Sequence, residues 1–374
     1  MSEMMSDTEH CSGCGIKLQN EQKHELGYIP EEALTRERLI CQRCFRIKHY
    51  NDASTSYTLD ENEFLRILHH VGETDCVIVN IVDIFDIEGS MIRGLSRFIQ
   101  DQPLIFVVNK FDLLPQSTNP NKIINWIQQL AKEYGLKPEK IELISAKRDS
   151  GLENVVHTLE SIRNGRDVYV IGATNVGKST FINGLIRNFS DLDEQLTTSQ
   201  YPGTTLNKVE IPMDDGSVIV DTPGIVYGDR LTEMIQNKYV QKILPQKMLK
   251  PPIYQLNSEQ TLFLGSLARF DFKEGERQSF TFYVSNAINI HRTKLENADE
   301  LYDNHKGKML TPPSKDDLAS LPALVKHEFR IKAGMKQDVV ISGLGWIKAN
   351  GSTGATVNIH APKGVHVILR NSLI

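Results

Sequence analysis

At 374 residues, with 40% hydrophobic and 24% charged side chains, the chain has the composition of a globular protein with two or three cores, which excludes a disordered or fibrous one. The net charge of −5 is unevenly spread: residues 231–374 carry 19 Lys and Arg against 13 Asp and Glu, which leaves 23 against 34 for residues 1–230. The basic end suits an anionic partner or forms a merely solvated face. Residues 1–10 are acidic without an apolar stretch, and no apolar run approaches the ~18 residues of a spanning helix. A cytoplasmic protein with no membrane partner is expected.

Four of the five cysteines form two C-x-x-C pairs, Cys11 with Cys14 and Cys41 with Cys44, 26 residues apart. Four thiolates in this arrangement suit tetrahedral Zn²⁺. A reducing compartment disfavours two disulfides, and the lack of a βαβ pattern disfavours a redox site. Arg43, Arg46 and Lys48, interleaved with Phe45 and Tyr50, suit looped RNA or else form a charged rim with no ligand.

From about residue 60 the pattern changes to apolar strands alternating with amphipathic helices, the sign of a parallel sheet covered on both faces. Residues 76–82 read as a buried strand, with Cys76 a small core residue, and residues 89–100 as a helix. The strand 103–108 runs into Asn109-Lys110-Phe111-Asp112, an N-K-x-D at the carboxyl end of a strand, where open α/β sheets bind ligands. The Asp112 carboxylate can accept from both N1–H and the exocyclic amine of guanine, which adenine does not offer. A helix over 122–134 and a strand over 141–144 lead to Ser145-Ala146-Lys147, the expected source of a backbone donor to the guanine carbonyl. A helix over 152–163 follows.

Residues 167–171 read as a strand, 181–187 as a helix, and Gly172-Ala-Thr174-Asn175-Val176-Gly177-Lys178-Ser179-Thr180 between them fits G-x-x-x-x-G-K-[ST]. Such a loop turns successive N–H groups towards phosphate oxygens at a helix N-terminus. Lys178 adds a cation and Ser179 a hydroxyl ligand for Mg²⁺. Beyond it stand Tyr201-Pro-Gly-Thr204-Thr205 and Asp221-Thr-Pro-Gly224. Thr205, preferred to Thr204, would complete the Mg²⁺ shell, Asp221 would hold a Mg²⁺-bound water, and the Gly224 amide would meet the γ-phosphate.

These motifs resemble the set that defines Ras-like GTP-binding proteins, in an altered order: N-K-x-D and S-A-K come before the phosphate loop, as in a circular permutation. With the cysteine quartet and an extra C-terminal domain, the chain resembles the YqeH family of permuted bacterial GTPases, associated with assembly of the small ribosomal subunit. The resemblance implies a multi-domain α/β protein: a zinc-knuckle module over 1–56, a circularly permuted P-loop GTPase domain over 57–229 and a β-rich α+β domain over 230–374. It implies GTP hydrolysis, GTP/GDP as ligands, and ribosomal RNA or the 30S subunit as partner. A rival reading is an RNA-binding scaffold whose nucleotide serves only structure. Where Ras-like proteins commonly carry a water-orienting glutamine this chain has Ile225, so hydrolysis would lean on Lys178, Thr205 and a K⁺ ion held by Asn175, or Asn175 only stabilises its turn. In the last domain, a helix open to interruption at Pro245 is expected over 231–249, and strands over 280–284, 338–342, 346–348, 355–360 and 364–370. Lys326, Arg330, Lys332, Lys336, Lys348, Lys363 and Arg370 against Glu328 and Asp338 agree with an RNA face.

Overall fold

The computed structural model describes residues 11, 17–21, 27–34, 39–42, 58–59, 61–99, 101–189, 197–200 and 207–374. They form two compact units. One takes the described residues up to Asp83, Ser90–Lys110 and Ile127–Val226; the other takes Ile84–Gly89, Phe111–Trp126 and Tyr227–Ile374.

The strands of the first unit are β1 (Thr58–Leu59), β2 (Cys76–Asp83), β3 (Leu104–Asn109), β4 (Lys140–Leu143), β5 (Asp167–Gly172), β6 (Thr197–Gln200), β7 (Asn207–Pro212), β8 (Val218–Asp221) and β9 (Gly224–Ile225). Seven make one sheet in the order β4-β3-β2-β5-β8-β7-β6. β4, β3, β2, β5 and β8 run parallel, and the β8-β7-β6 meander is antiparallel. Every residue of β2 and β3 is buried, as expected of central parallel strands covered on both faces and written as unbroken apolar runs. The helix Leu152–Arg163 turns Leu152, Val155 and Leu159 inward at helical spacing, and left-handed Gly151 and Asn164 bound it. Buried Cys76 donates its thiol to Val71 O, 3.7 Å away. Burial, followed by the charges of Asp75 and Asp167, pushes that thiol up to about 12, so Cys76 is a neutral core group.

The expected helix over 89–100 does not form. Only Ile87–Ser90 and the 3₁₀ turn Leu95–Arg97 are helical. Gly94 between them sits at φ 70°, which ends any right-handed run. The expected helix over 231–249 is likewise two pieces, Leu231–Met234 and Asn237–Ile243, parted by Ile235 and Gln236 in extended conformation.

The second unit is rich in antiparallel strands: β10 (Ile253–Leu256), β11 (Gln260–Leu264), β12 (Ala268–Gly275), β13 (Gln278–Val284), β14 (Ile290–Lys294), β15 (Leu324–Ile331), β16 (Gln337–Ile341), β17 (Gly345–Ala349), β18 (Ala355–Pro362) and β19 (Val367–Asn371). They build two sheets of five, β10-β13-β17-β16-β19 and β14-β11-β12-β18-β15. Phe270 and Phe272 of one sheet meet Phe280 and Phe282 of the other, with ring centroids 5.0 to 5.5 Å apart, and these rings anchor the core. The strands expected from sequence correspond to β13, β16, β17, β18 and β19. β12 escaped because Arg269 and Asp271 break its apolar pattern. Both are buried, and their ion pair at 2.6 Å is what permits it.

The structure also corrects the basic face. Arg370 is enclosed between Glu88 and Asp338, with its guanidinium 5.0 Å from the centre of the Trp126 ring. Asp338 is itself fully buried. Lys348 donates to Ile374 O, and burial holds its ammonium below the usual lysine range. Arg370 and half-buried Lys348 are thus held by partners within the fold. Lys326, Arg330, Lys332, Lys336 and Lys363 are exposed.

Candidate nucleotide site

The site is built where β2, β3, β5 and β8 end. β5 stops at Gly172, where a Cβ would lie 2.8 Å from Ile81 O. The chain then turns through Ala173–Gly177 and enters the helix Lys178–Phe189, whose first turn closes with Phe181 N donating to Gly177 O at 2.9 Å. Gly177 sits at φ 91°, and a side chain there would come inside the 3.0 Å that real Cβ atoms keep, against Asn109 Nδ2. Asn175 sits at φ 63°, in the left-handed region that asparagine visits more readily than most residues.

The N-K-x-D motif and the phosphate loop are braced together. Asn109 Nδ2 donates to Val176 O at 2.9 Å, while Asn109 Oδ1 accepts from Lys110 N at 2.7 Å and from Ala146 N at 2.9 Å. Lys110 Nζ donates to Asn175 O at 2.6 Å. Residues 109–110, 146 and 175–176, far apart in sequence, thus form one hydrogen-bonded body. The Ala146 amide, one of the backbone donors of the Ser145–Lys147 segment expected to reach guanine, here donates to Asn109. Ser145 is buried and Lys147 exposed. Asp112 lies two residues past Lys110, half-buried in the 3₁₀ turn Phe111–Leu113.

On the other side of the loop, Thr174 N donates to Ile225 O at 2.8 Å, and a Cβ at Gly224 would be 3.5 Å from Ala173 O. The Asp-x-x-Gly segment therefore runs alongside the phosphate loop. Lys178 forms an ion pair with Asp221, each side chain only 4% exposed, so the loop's cation and the expected Mg²⁺-water ligand share one buried point. Ser179 is half-buried beside Lys178, and Thr180 is exposed. These are the groups that receive β- and γ-phosphate oxygens with Mg²⁺ in phosphate-loop proteins.

Thr204 and Thr205 lie outside the described residues, as do Cys14 and Cys44. Cys11 and Cys41 are both buried, 2% exposed, in a small cluster with Leu18 and Ile29, and Cys41 N donates to Cys11 Sγ at 3.1 Å. Among the described residues there is no group of three or more potential metal ligands.

One residue of the site went unread in the sequence. Asp83, fully buried at the end of β2 and in register with Asn109, pairs with Lys110 Nζ at 2.5 Å. Its signal was positional: an acid closing an apolar run at the sheet edge where Asn109 and Asp221 also end their strands.

Residues 277–373 match the family model described as YqeH-like, C-terminal, and residues 167–253 match one described as 50S ribosome-binding GTPase. The chain is similar to "Uncharacterized protein YqeH" of Bacillus subtilis, 50% identical over 364 residues that cover 97% of this chain and 99% of that one. It is 28% identical over 428 residues to "NO-associated protein 1, chloroplastic/mitochondrial" of Arabidopsis thaliana, covering 97% of this chain and 76% of the other. Over 215 residues it is 28% identical to "GTPase Der" of Aquifex aeolicus, covering 51% and 46%.

Proposed function

This chain belongs to the YqeH family of GTPases, and we propose that it uses the GTP cycle to time its contacts with ribosomal RNA during assembly of the small subunit. The observation that carries the reading is the bracing of Asn109 and Lys110 onto Val176 and Asn175, which joins a guanine-reading motif to a phosphate loop. Asp112 reads the base, the backbone from Thr174 to Lys178 and the Lys178 ammonium hold the phosphates, and Ser179, Thr205 and, through water, Asp221 hold Mg²⁺. The metal's contribution is to neutralise charge on the transferred phosphoryl group. We read the chain order, with N-K-x-D on β3 before the phosphate loop after β5, as a circular permutation, and the division as 1–56, 57–229 and 230–374.

Two further ions fit the residues. Cys11 and Cys41, with an N–H donated to a sulfur that has to carry thiolate charge, suit half of a Zn²⁺ knuckle completed by Cys14 and Cys44. Ile225 at the site of the usual glutamine is buried and offers no side-chain hydrogen bond, which supports a K⁺ ion on the exposed Asn175 side chain as the source of positive charge for hydrolysis. Hydrolysis several-fold faster in KCl than in NaCl tests this, and equal rates would end it.

The RNA partner rests on the exposed Lys326, Arg330, Lys332, Lys336 and Lys363, and the subunit on the family resemblance. The description of the matched GTPase model names the large subunit instead. Co-sedimentation with isolated 30S and 50S particles, under GDP or a non-hydrolysable GTP analogue, decides. Nucleotide-dependent binding to 30S alone is expected. Binding only to 50S would overturn the subunit, and binding to neither would leave a GTPase with another partner.

A further inference from the structure

The Lys110 ammonium stands between two acceptors, Asp83 Oδ2 at 2.5 Å and Asn175 O at 2.6 Å. Lys110 and Asn175 both hold left-handed backbone conformations, at φ 66° and 63°, which non-glycine residues keep only where surrounding contacts select them. The ammonium is a contact that both residues share. A lysine stem is flexible and its ammonium strongly hydrated, so a neutral carbonyl is a weak tether for it. A carboxylate with no solvent exposure is a stronger one, because a charge-assisted bond is about twice as strong as a neutral one.

We propose that Asp83 is a positioning residue for nucleotide binding. It fastens the Lys110 ammonium onto the Asn175 carbonyl, and because that carbonyl shares a rigid peptide plane with the Val176 N–H, the contact fixes the direction of that donor in the phosphate loop. Asp83 acts through Lys110. Its own backbone N–H is anchored separately, to Ser90 Oγ at 2.9 Å, so replacing the side chain leaves the end of β2 tied.

The test is a double-mutant cycle on the full chain with Asp83→Asn, Lys110→Met and both, titrating mant-GDP with Mg²⁺ and following urea unfolding without nucleotide. D83N and K110M should each weaken mant-GDP about ten-fold. In D83N the loss should fall on KM for GTP, with kcat at saturation changed less than about two-fold, because the braced loop binds ground and transition states alike. The double variant should bind no more weakly than K110M alone. Losses that multiply towards about a hundred-fold would show Asp83 acting independently of Lys110, and D83N binding mant-GDP like the wild type would remove the role altogether. If D83N does not fold, the double variant, which buries neither charge, is compared with K110M on the same readout: equal affinity supports the proposal, and a further ten-fold loss overturns it.

Discussion

Replacing Gly177 by alanine should disable the phosphate loop, and the structure sets the size of the effect. At φ 91°, an alanine costs about 1–2 kcal/mol of backbone strain. Its Cβ would collide with Asn109 Nδ2, and the Asn109 amide cannot yield without losing its bonds to Val176 O, Lys110 N and Ala146 N, each worth about 1 kcal/mol. The total of about 4–5 kcal/mol corresponds to a fall in melting temperature of roughly 10 °C or more in the first unit. Nucleotide affinity should drop at least about a hundred-fold. Gly216 is the control: it has φ 82° in the loop between β7 and β8, and nothing lies within 4 Å of its would-be Cβ. G216A should therefore lose only the strain, about 1–2 kcal/mol, and bind nucleotide normally. Differential scanning calorimetry and mant-GDP titration of both variants measure the contrast. A G177A protein that matches G216A in stability and affinity would refute the bracing of the loop by Asn109.

The Asp112→Asn variant should lose GTP and gain xanthosine triphosphate, since an amide donates where the carboxylate accepted; competition against mant-GTP measures it, and unchanged GTP affinity would take Asp112 out of the base pocket. Elemental analysis should find one Zn²⁺ per chain, lost in Cys41→Ser with nucleotide affinity retained, and a zinc-free, well-folded wild-type protein would contradict the knuckle. Charge reversal at Arg330, Lys332 and Lys336 should weaken ribosomal-subunit binding and flatten its salt dependence, whereas an unaltered salt slope would mean the face is only solvated. The last concerns pH. Burial alone would raise the carboxyl of Asp271, but hydrogen bonds from His360, Arg269 and Thr261 and the charge of Arg269 outweigh it and hold the group below its ordinary 3.8. Its stabilisation is thus present above 3.8 and lost as pH falls through the depressed value. Asp271→Asn should lower stability by about 3 kcal/mol at neutral pH, with the deficit shrinking below that window. Parallel urea-unfolding curves at pH 7 and pH 3 would show a constant gap if the reasoning is wrong.

The motifs of the candidate nucleotide site were legible in the sequence because they rest on local constraints. A phosphate loop needs small residues and a lysine at fixed spacing, and N-K-x-D and D-x-x-G each lie at a strand end, so short stretches carry them whole. Buried parallel strands such as β2 and β3 were legible for the same reason, as unbroken apolar runs. The tertiary structure decided what depends on partners distant in sequence. The helix expected over 89–100 had the periodicity but was broken by the left-handed turn at Gly94. Arg269 and Asp271 break the apolar pattern of a central strand until their mutual pairing puts them in the core, and Arg370 and Lys348 looked like free surface cations until Glu88 and Asp338 paired with the one and Ile374 O with the other. Asp83 shows the limit most directly: one acid after an apolar run has no meaning in one dimension, and acquires it only when β2 and β3 lie side by side and bring its carboxylate to Lys110. A charge is cheap in water and costly in a core, so whether it is surface or scaffold is settled by its partners, which folding alone brings within reach.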